Sequence, residues 1–260
     1  MSKIGIMILG HGSSYEYNKN IMYMQKERLE EMGFENVYIG FNQMTRPYIE
    51  DSMKAMAEDG IDEVVAVPFF IASGLHMTHD IPPKLLLKEG ENHVKVSVGG
   101  HEMLMHFEEP FGEDPNLAKI LFDKINACKT EKNTAAIVIG HGSKLPYNKE
   151  VITLNAKRLN DMGVKTYYAF NELNEPKIED VLHQMVKDGA DEIIALPLFI
   201  SKGDHLKNDI PAKLHLKDGI NEGTFVENGK KILVKYSLPI GDDPRLTEVI
   251  AAKIRKYTEA

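Results

Sequence analysis

The chain has a single cysteine, Cys128, and no tryptophan. A lone thiol cannot close an internal disulfide, and without a second soft ligand nearby it makes a poor metal motif, so a disulfide framework is excluded and a reducing cytoplasm is expected. Long hydrophobic runs are missing too. The longest, Val64 to Ala72 and Ile193 to Ile200, fall far short of the roughly 20 residues that cross a bilayer. Met1 to Leu9 holds one lysine and a short apolar stretch with no small-residue cleavage site behind it, so no secretory signal is expected. Positive charge is in deficit: 31 Lys and Arg stand against 39 Asp and Glu, a formal net charge of -8. Neither nucleic acid nor an anionic membrane is expected as a partner, and any polyanionic ligand needs a locally basic site.

What remains is an ordinary globular composition, 43% hydrophobic and 27% charged over 260 residues. That length suits one large domain or two of about 130 residues. An internal repeat selects the second. Gly10-His11-Gly12-Ser13 recurs as Gly140-His141-Gly142-Ser143, and Tyr17-Asn18-Lys19 as Tyr147-Asn148-Lys149. Phe41-Asn42 answers to Phe170-Asn171, Gly74-x-His76 to Gly203-x-His205, and Asp80-Ile81-Pro82 to Asp209-Ile210-Pro211. The ends agree as well, Gly112 to Pro115 with Gly241 to Pro244. The repeat divides the chain into an N-terminal lobe, 1–130, and a C-terminal lobe, 131–260, joined through the polar stretch Cys128 to Asn133.

Each copy alternates strand and helix signals. Lys3 to Leu9 and Thr134 to Ile139 read as buried strands, and Tyr17 to Met32 and Tyr147 to Met162 as amphipathic helices closed by Gly33 and Gly163. Strands follow near Val37 to Phe41 and Lys165 to Phe170, then helices opened by Pro47 and Pro176, then strands at Glu63 to Phe69 and Glu192 to Phe199. Asp80 and Asp209 read as helix N-caps. One more strand, Val94 to Val98 or Ile232 to Tyr236, and a helix after Pro115 or Pro244 complete each half. This is an α/β pattern: two similar flavodoxin-like lobes, each a parallel sheet with helices on both faces, related by duplication.

In such a sheet ligands bind at the carboxyl ends of the strands. His11 and His141 follow the first strand of each copy, and His76 and His205 follow the third. A flavodoxin-like order makes those strands neighbours, so each pair converges. Ser13 and Ser143 are placed to cap the next helix or to bond the histidine. His93, His101, His106, His183 and His215 have no partner in the other copy and read as surface or local structural residues. The copies also differ. Glu172-Leu173-Asn174-Glu175 precedes Pro176 where Gln43-Met44-Thr45-Arg46 precedes Pro47, and His79 stands where the second copy has Asn208.

At these residues the chain resembles the class II tetrapyrrole chelatases of the sirohydrochlorin cobaltochelatase and nickelochelatase type. The resemblance rests on the two Gly-His-Gly-Ser openings, on Glu172-x-x-Glu175 before the proline-led helix, and on the His-x-x-x-Asp-Ile-Pro segments at His76 and His205. It covers essentially the whole chain. The implied fold is a chelatase-like lobe written twice, a covalent version of the homodimer formed by single-copy members, and the chain is expected to be a monomer. The implied activity is ATP-independent insertion of Co2+, Ni2+ or Fe2+ into sirohydrochlorin, with the ion a substrate and no cofactor permanently bound. Carried over by position, His11, His76, His141 and His205 are the metal and catalytic histidines and Glu172 the acid-base carboxylate. Gln43 cannot serve as that carboxylate, which biases the productive site to the second half.

Neutral imidazole suits such ions, and histidine at its ordinary pKa of about 6.5 is mostly neutral at pH 7. The two pyrrole protons need a general base. The substrate's carboxylates need cations, for which Arg46, Lys144, Lys202 and Lys207 are candidates, with Ser13 and Ser143 as further substrate contacts. Cobalt is the first expectation and nickel the second. The alternatives are iron insertion for sirohaem, a non-catalytic metal or tetrapyrrole carrier, and, remotely, a histidine phosphatase. The last wants an arginine before its histidine, and Gly10 and Gly140 stand there.

Overall fold

A computed structural model describes residues 2–203, 205–217 and 219–259. The chain forms two compact units. One comprises the residues up to Gly112 together with those from Asp242 onward, and the other is Glu113–Gly241.

The first unit holds β1 (Ile4–Gly10), α1 (Glu16–Glu31), β2 (Val37–Phe41), α2 (Ile49–Glu58), β3 (Glu63–Pro68), a π-helical turn (His76–Asp80) running into α3 (Ile81–Lys84), β4 (His93–Val98) and β5 (His101–Phe107). Its sheet has the order β2-β1-β3-β5-β4. All neighbours run parallel except β4, which pairs antiparallel with β5 at the edge. The central strands are buried along nearly their whole length, as strands covered on both faces must be. One face packs Met7, Leu9, Val64 and Ala66 against Ile49, Met53 and Met56 of α2.

Between them lie α4 (Pro115–Cys128), β6 (Thr134–Gly140), α5 (Tyr147–Asp161), β7 (Thr166–Phe170), α6 (Ile178–Lys187), β8 (Glu192–Pro197), a second π-helical turn (His205–Asp209), α7 (Ile210–Lys213), β9 (Glu222–Glu227) and β10 (Lys230–Tyr236), before the last helix, α8 (Pro244–Thr258). The second sheet repeats the first, in the order β7-β6-β8-β10-β9.

Two features differ from the sequence reading. Where one strand was expected near residue 94 or 232, each half has a hairpin, and Val94 to Val98 corresponds to β9 and not to Ile232 to Tyr236. Its two-residue turns are Gly99-Gly100, with φ of 60° and 90°, and Asn228-Gly229, with φ of 50° and 78°. Both residues of such a turn need positive φ, which Gly and Asn supply with little strain. The second difference concerns the closing helices. α4 packs on α5 and β8, whereas α8 packs on α1 and β3. Each compact unit is therefore completed by the helix that belongs, by repeat, to the other half, and the units do not coincide with the halves 1–130 and 131–260. Both helices start as the sequence indicates: Asp114 and Asp243 accept from the backbone N–H two residues on, at 2.8 and 3.0 Å, with proline at the first helical position.

Among the described residues no helix is long and apolar enough to cross a membrane.

Candidate metal-handling sites

β1 lies between β2 and β3, so the loops leaving the carboxyl ends of all three strands meet at one edge of the sheet. His11 leaves β1 and His76 opens the π-helical turn beyond β3. Their Nε2 atoms stand 2.9 Å apart across 65 residues of sequence, the rings edge to face at 84°. In the second unit His141 and His205 meet with ring centroids 4.7 Å apart and planes at 79°.

The other ring nitrogen is fixed in all four histidines. His11 Nδ1 lies 2.8 Å from the Gly12 carbonyl, and His141 Nδ1 lies 3.0 Å from the Gly142 carbonyl. His76 Nδ1 is 2.5 Å from Asp80 Oδ2, and His205 Nδ1 is 2.6 Å from Asp209 Oδ2. Carbonyl and carboxylate oxygens only accept, so each Nδ1 carries the proton and each neutral ring presents a bare Nε2. Two lone pairs facing each other at 2.9 Å repel unless a cation or a proton lies between them. Two nitrogens bound at a right angle to an ion, each at about 2.0–2.1 Å, stand about 2.9 Å apart. The first pair thus has the spacing of two cis ligands.

The loop after the second strand closes the site from the side. Phe41 N–H donates to the Pro47 carbonyl at 2.9 Å and Phe170 N–H to the Pro176 carbonyl at 3.0 Å, folding residues between them into a tight ring. That ring docks on the histidine loop: the backbone N–H of Gln43 donates to the His11 carbonyl at 3.1 Å, and that of Glu172 to the His141 carbonyl at 2.9 Å. The docking requires glycine. Gly12 and Gly142 have φ of +85° and +94°, and a Cβ on them would lie 1.7 Å from the Gln43 carbonyl oxygen and 2.4 Å from that of Glu172. Side chains then diverge in chemistry. Gln43 Nε2 lies 3.4 Å from His11 Nε2, while Glu172 Oε1 lies 3.6 Å from His205 Nδ1. Among the described residues, His141, Glu172 and His205 form the one group of three possible ligands whose donor atoms all lie within 4.8 Å of one another.

Asp80 and Asp209 were expected as N-caps, and each does stand before its short helix, but neither side chain caps it. The π-helical turn brings each carboxylate to the histidine four residues earlier, where it fixes the imidazole tautomer and raises its basicity as a ligand. Asn42 and Asn171, repeated but given no role in the sequence reading, flank the same Nδ1 atoms at 3.3 Å. Lys213 Nζ donates to the Asn171 carbonyl and to its Oδ1 at 2.5 and 2.9 Å, and Lys84 Nζ to the Asn42 carbonyl.

The remaining sequence candidates are spread along the loops. The Ser13 and Ser143 hydroxyls accept from the backbone N–H groups of Tyr15 and Leu145, both at 3.1 Å, turning the chain instead of capping α1 or α5. Arg46 is paired with Asp51 at 2.6 Å and lies over the Tyr48 ring at 4.7 Å, so its charge is already balanced. Lys144 is exposed beside Ser143, Lys202 is half-buried ahead of the π-helical turn, and Lys207 is exposed within it. His79 is exposed on the first turn. His183 pairs with Glu227 at 2.8 Å and His215 stacks on Phe225 at 5.2 Å.

Known proteins share this architecture. A family model described as CbiX matches residues 5–128 and, again, 135–257. The sirohydrochlorin cobaltochelatase of Methanopyrus kandleri is 31% identical over 145 residues, which is 50% of this chain and 99% of that protein. The protein of the same name from Methanococcoides burtonii is 34% identical over 123 residues, 47% of this chain and 94% of its own. Among solved structures, SirB from Bacillus subtilis with Fe3+ superposes with a TM-score of 0.73 at 21% identity, covering 98% of this chain and 95% of SirB. The cobalt complex of the sirohydrochlorin chelatase SirB from Bacillus subtilis subspecies spizizenii gives 0.71 at 18% identity over 99% of this chain and 96% of that one. The same family thus matches each half in turn, and the chain belongs to the CbiX family.

Proposed function

We propose that the chain is a chelatase, a lyase that inserts a divalent metal, cobalt foremost, into sirohydrochlorin, and that His141, Glu172 and His205 present the metal. The observation that supports the placement most is the convergence of those three donors within 4.8 Å. The relatives named sirohydrochlorin cobaltochelatase support the reaction and favour cobalt over iron. Two neutral imidazoles and one carboxylate suit Co2+ and Ni2+ alike, and the carboxylate offsets one of the two positive charges.

Insertion exchanges the ion for two pyrrole protons, so M2+ and the free macrocycle give the metallated macrocycle and two H+. The bare Nε2 atoms bind the ion without first losing a proton. Once the ion has passed to the macrocycle, Glu172 and the imidazoles are free to take up the departing protons as general bases. No resident cofactor and no nucleotide enter this scheme. Lys144, Lys202 and Lys207 supply positive charge for the substrate's carboxylates on an otherwise acidic chain, where Arg46 is already paired with Asp51, and Ser13 and Ser143 add polar contacts. The reading has the protein acting in the cytoplasm as a monomer, without nucleic-acid or membrane partners. Turnover separates it from a carrier: with sirohydrochlorin and Co2+ in excess, the absorbance change should continue through many equivalents per chain, whereas a carrier stops near one.

A further inference from the structure

On the edge of the first sheet, away from the loops that carry His11 and His76, β4 and β5 place His93 and His106 directly opposite each other. Their Nδ1 atoms are 2.9 Å apart, with ring centroids at 4.7 Å. His106 is 4% exposed, and His93 is exposed. Behind them, His106 Nε2 lies 3.3 Å from Glu63 Oε2. That carboxylate is held by the Ser2 hydroxyl, which donates to Oε1 at 2.6 Å. The Ser2 hydrogen bond and then the His106 contact keep the Glu63 carboxyl below its ordinary pKa, against the opposing effect of burial. The Tyr257 ring packs over His106 at 4.3 Å and fixes its plane.

We infer that His93 and His106 form a second binding site for a first-row divalent transition metal, taken up through both Nδ1 atoms. An ionised carboxylate can only accept, so His106 Nε2 carries the proton and its Nδ1 is bare. This carboxylate–imidazole arrangement is the one that orients and strengthens a histidine ligand. In the metal-free protein the exposed His93 donates its Nδ1 proton across the 2.9 Å gap. On binding, that proton moves to the other nitrogen of His93, and both Nδ1 lone pairs face the ion with no net loss of a proton. The spacing suits cis ligands of an octahedral or square ion, since tetrahedral ligation at the same bond length sets two nitrogens about 3.3 Å apart. Ni2+, Co2+ and Cu2+ therefore fit better than Zn2+, with water completing the shell on the exposed side.

The second unit shows what the pocket attracts. Lys235 stands on β10 where His106 stands on β5, opposite Glu222 in place of His93. Its ammonium lies 3.0 Å from Glu192 Oε1, the counterpart of Glu63, and donates to the Cys128 carbonyl at 2.5 Å. The same position beside the same carboxylate holds a built-in cation in one unit and an imidazole pair in the other.

Ni2+ titration of a protein carrying His11→Ala, His76→Ala, His141→Ala and His205→Ala tests this with both candidate active sites disabled. The site predicts one equivalent of Ni2+ bound, Ni2+ held more tightly than Zn2+, and an affinity loss of at least about tenfold when His93→Ala is added. Should the fourfold variant not fold, His93→Ala alone in the otherwise unchanged chain should lower the Ni2+ bound at equilibrium dialysis by one equivalent. No Ni2+ bound to the folded fourfold variant, or equal binding with and without His93, overturns the inference. Neither outcome bears on metal insertion, because the tests read only metal bound.

Discussion

Gln43 and Glu172 occupy one and the same place in the two units, each donating its backbone N–H to the carbonyl of the histidine that follows the first strand, at 3.1 and 2.9 Å. Backbone and docking are shared, and only the side-chain head differs, an amide in one unit and a carboxylate in the other. A neutral amide adds no charge to a two-imidazole site, whereas a carboxylate does, so the difference bears directly on affinity for a dication.

Exchange of those two heads should move metal binding with little effect on folding. Glu172→Gln is expected to weaken Co2+ binding in the C-terminal unit by at least about tenfold, and Gln43→Glu to create or strengthen a site in the N-terminal unit by a similar factor. Calorimetric titration of the two variants, each with His93→Ala, reads this directly. Unchanged affinity in both would separate the carboxylate from metal binding.

Asp209→Asn tests the support behind His205. The carboxylate at 2.6 Å holds the Nδ1 proton, and an amide in its place can present its NH2 and push the ring towards the wrong tautomer. Metal affinity or insertion rate should fall roughly 10–100-fold, while the melting curve barely moves, since the pair is 35% and 46% exposed and such pairs add little stability. A fall in Tm that matches the fall in rate would mark Asp209 as structural only.

Gly142→Ala should cost more in activity than in stability. Its φ of +94° and the 2.4 Å approach of the new Cβ to the Glu172 carbonyl oxygen force the His141 and Glu172 loops apart. The left-handed backbone alone costs about 1–2 kcal/mol, visible as a lowered Tm. Gly12→Ala, with a 1.7 Å approach, should lower Tm by more, while insertion should suffer more from Gly142→Ala. A wild-type rate in Gly142→Ala would show that the His141 and Glu172 loops need not dock.

Stability of the N-terminal unit should depend on pH through His106. Burial, joined by the neighbouring His93, lowers its pKa, with Glu63 and Glu108 opposing in part. The folded chain then binds fewer protons than the unfolded chain between the two pKa values, so stability rises with pH there. The contribution is intact above the ordinary histidine pKa of about 6.5 and is lost as pH falls below it towards the folded value. In the C-terminal unit a lysine, Lys235, stands in the equivalent place, 3.0 Å from Glu192. Urea melts at pH 7.5 and 5.5, compared with those of His106→Gln, check this: the variant should lose most of the difference, and an undiminished difference would assign it elsewhere.

Much of this was legible because the chain repeats itself. Apolar runs and helix signals give the alternation of β1, β2 and β3 with helices, and with a flavodoxin-like strand order, which the sheet has, that suffices to bring His11 to His76 and His141 to His205. The hairpins were signalled by Gly99-Gly100 and Asn228-Gly229, yet only one strand of each was read, the edge strand β4 in the first half and the inner strand β10 in the second. The unread β9 lies half-exposed at its sheet edge and carries a weak hydrophobic pattern, while the unread β5 is an inner strand. The exchange of α4 and α8 has no signature in sequence, since an amphipathic helix suits either of two like surfaces. Asp80 and Asp209 were visible as a repeated pair. Their role was not, because an aspartate before a proline-led helix reads as a cap, and only the π-helical turn shows the carboxylate directed to the histidine instead.

The most direct test of the account compares two double variants in one assay, the initial rate of the absorbance change when Co2+ is added to excess sirohydrochlorin. His141→Ala with His205→Ala removes the donors that stand with Glu172, and His11→Ala with His76→Ala removes the pair beside Gln43. The account predicts that the first loses insertion above the uncatalysed rate while the second keeps measurable turnover. Wild-type insertion by the first variant would contradict it.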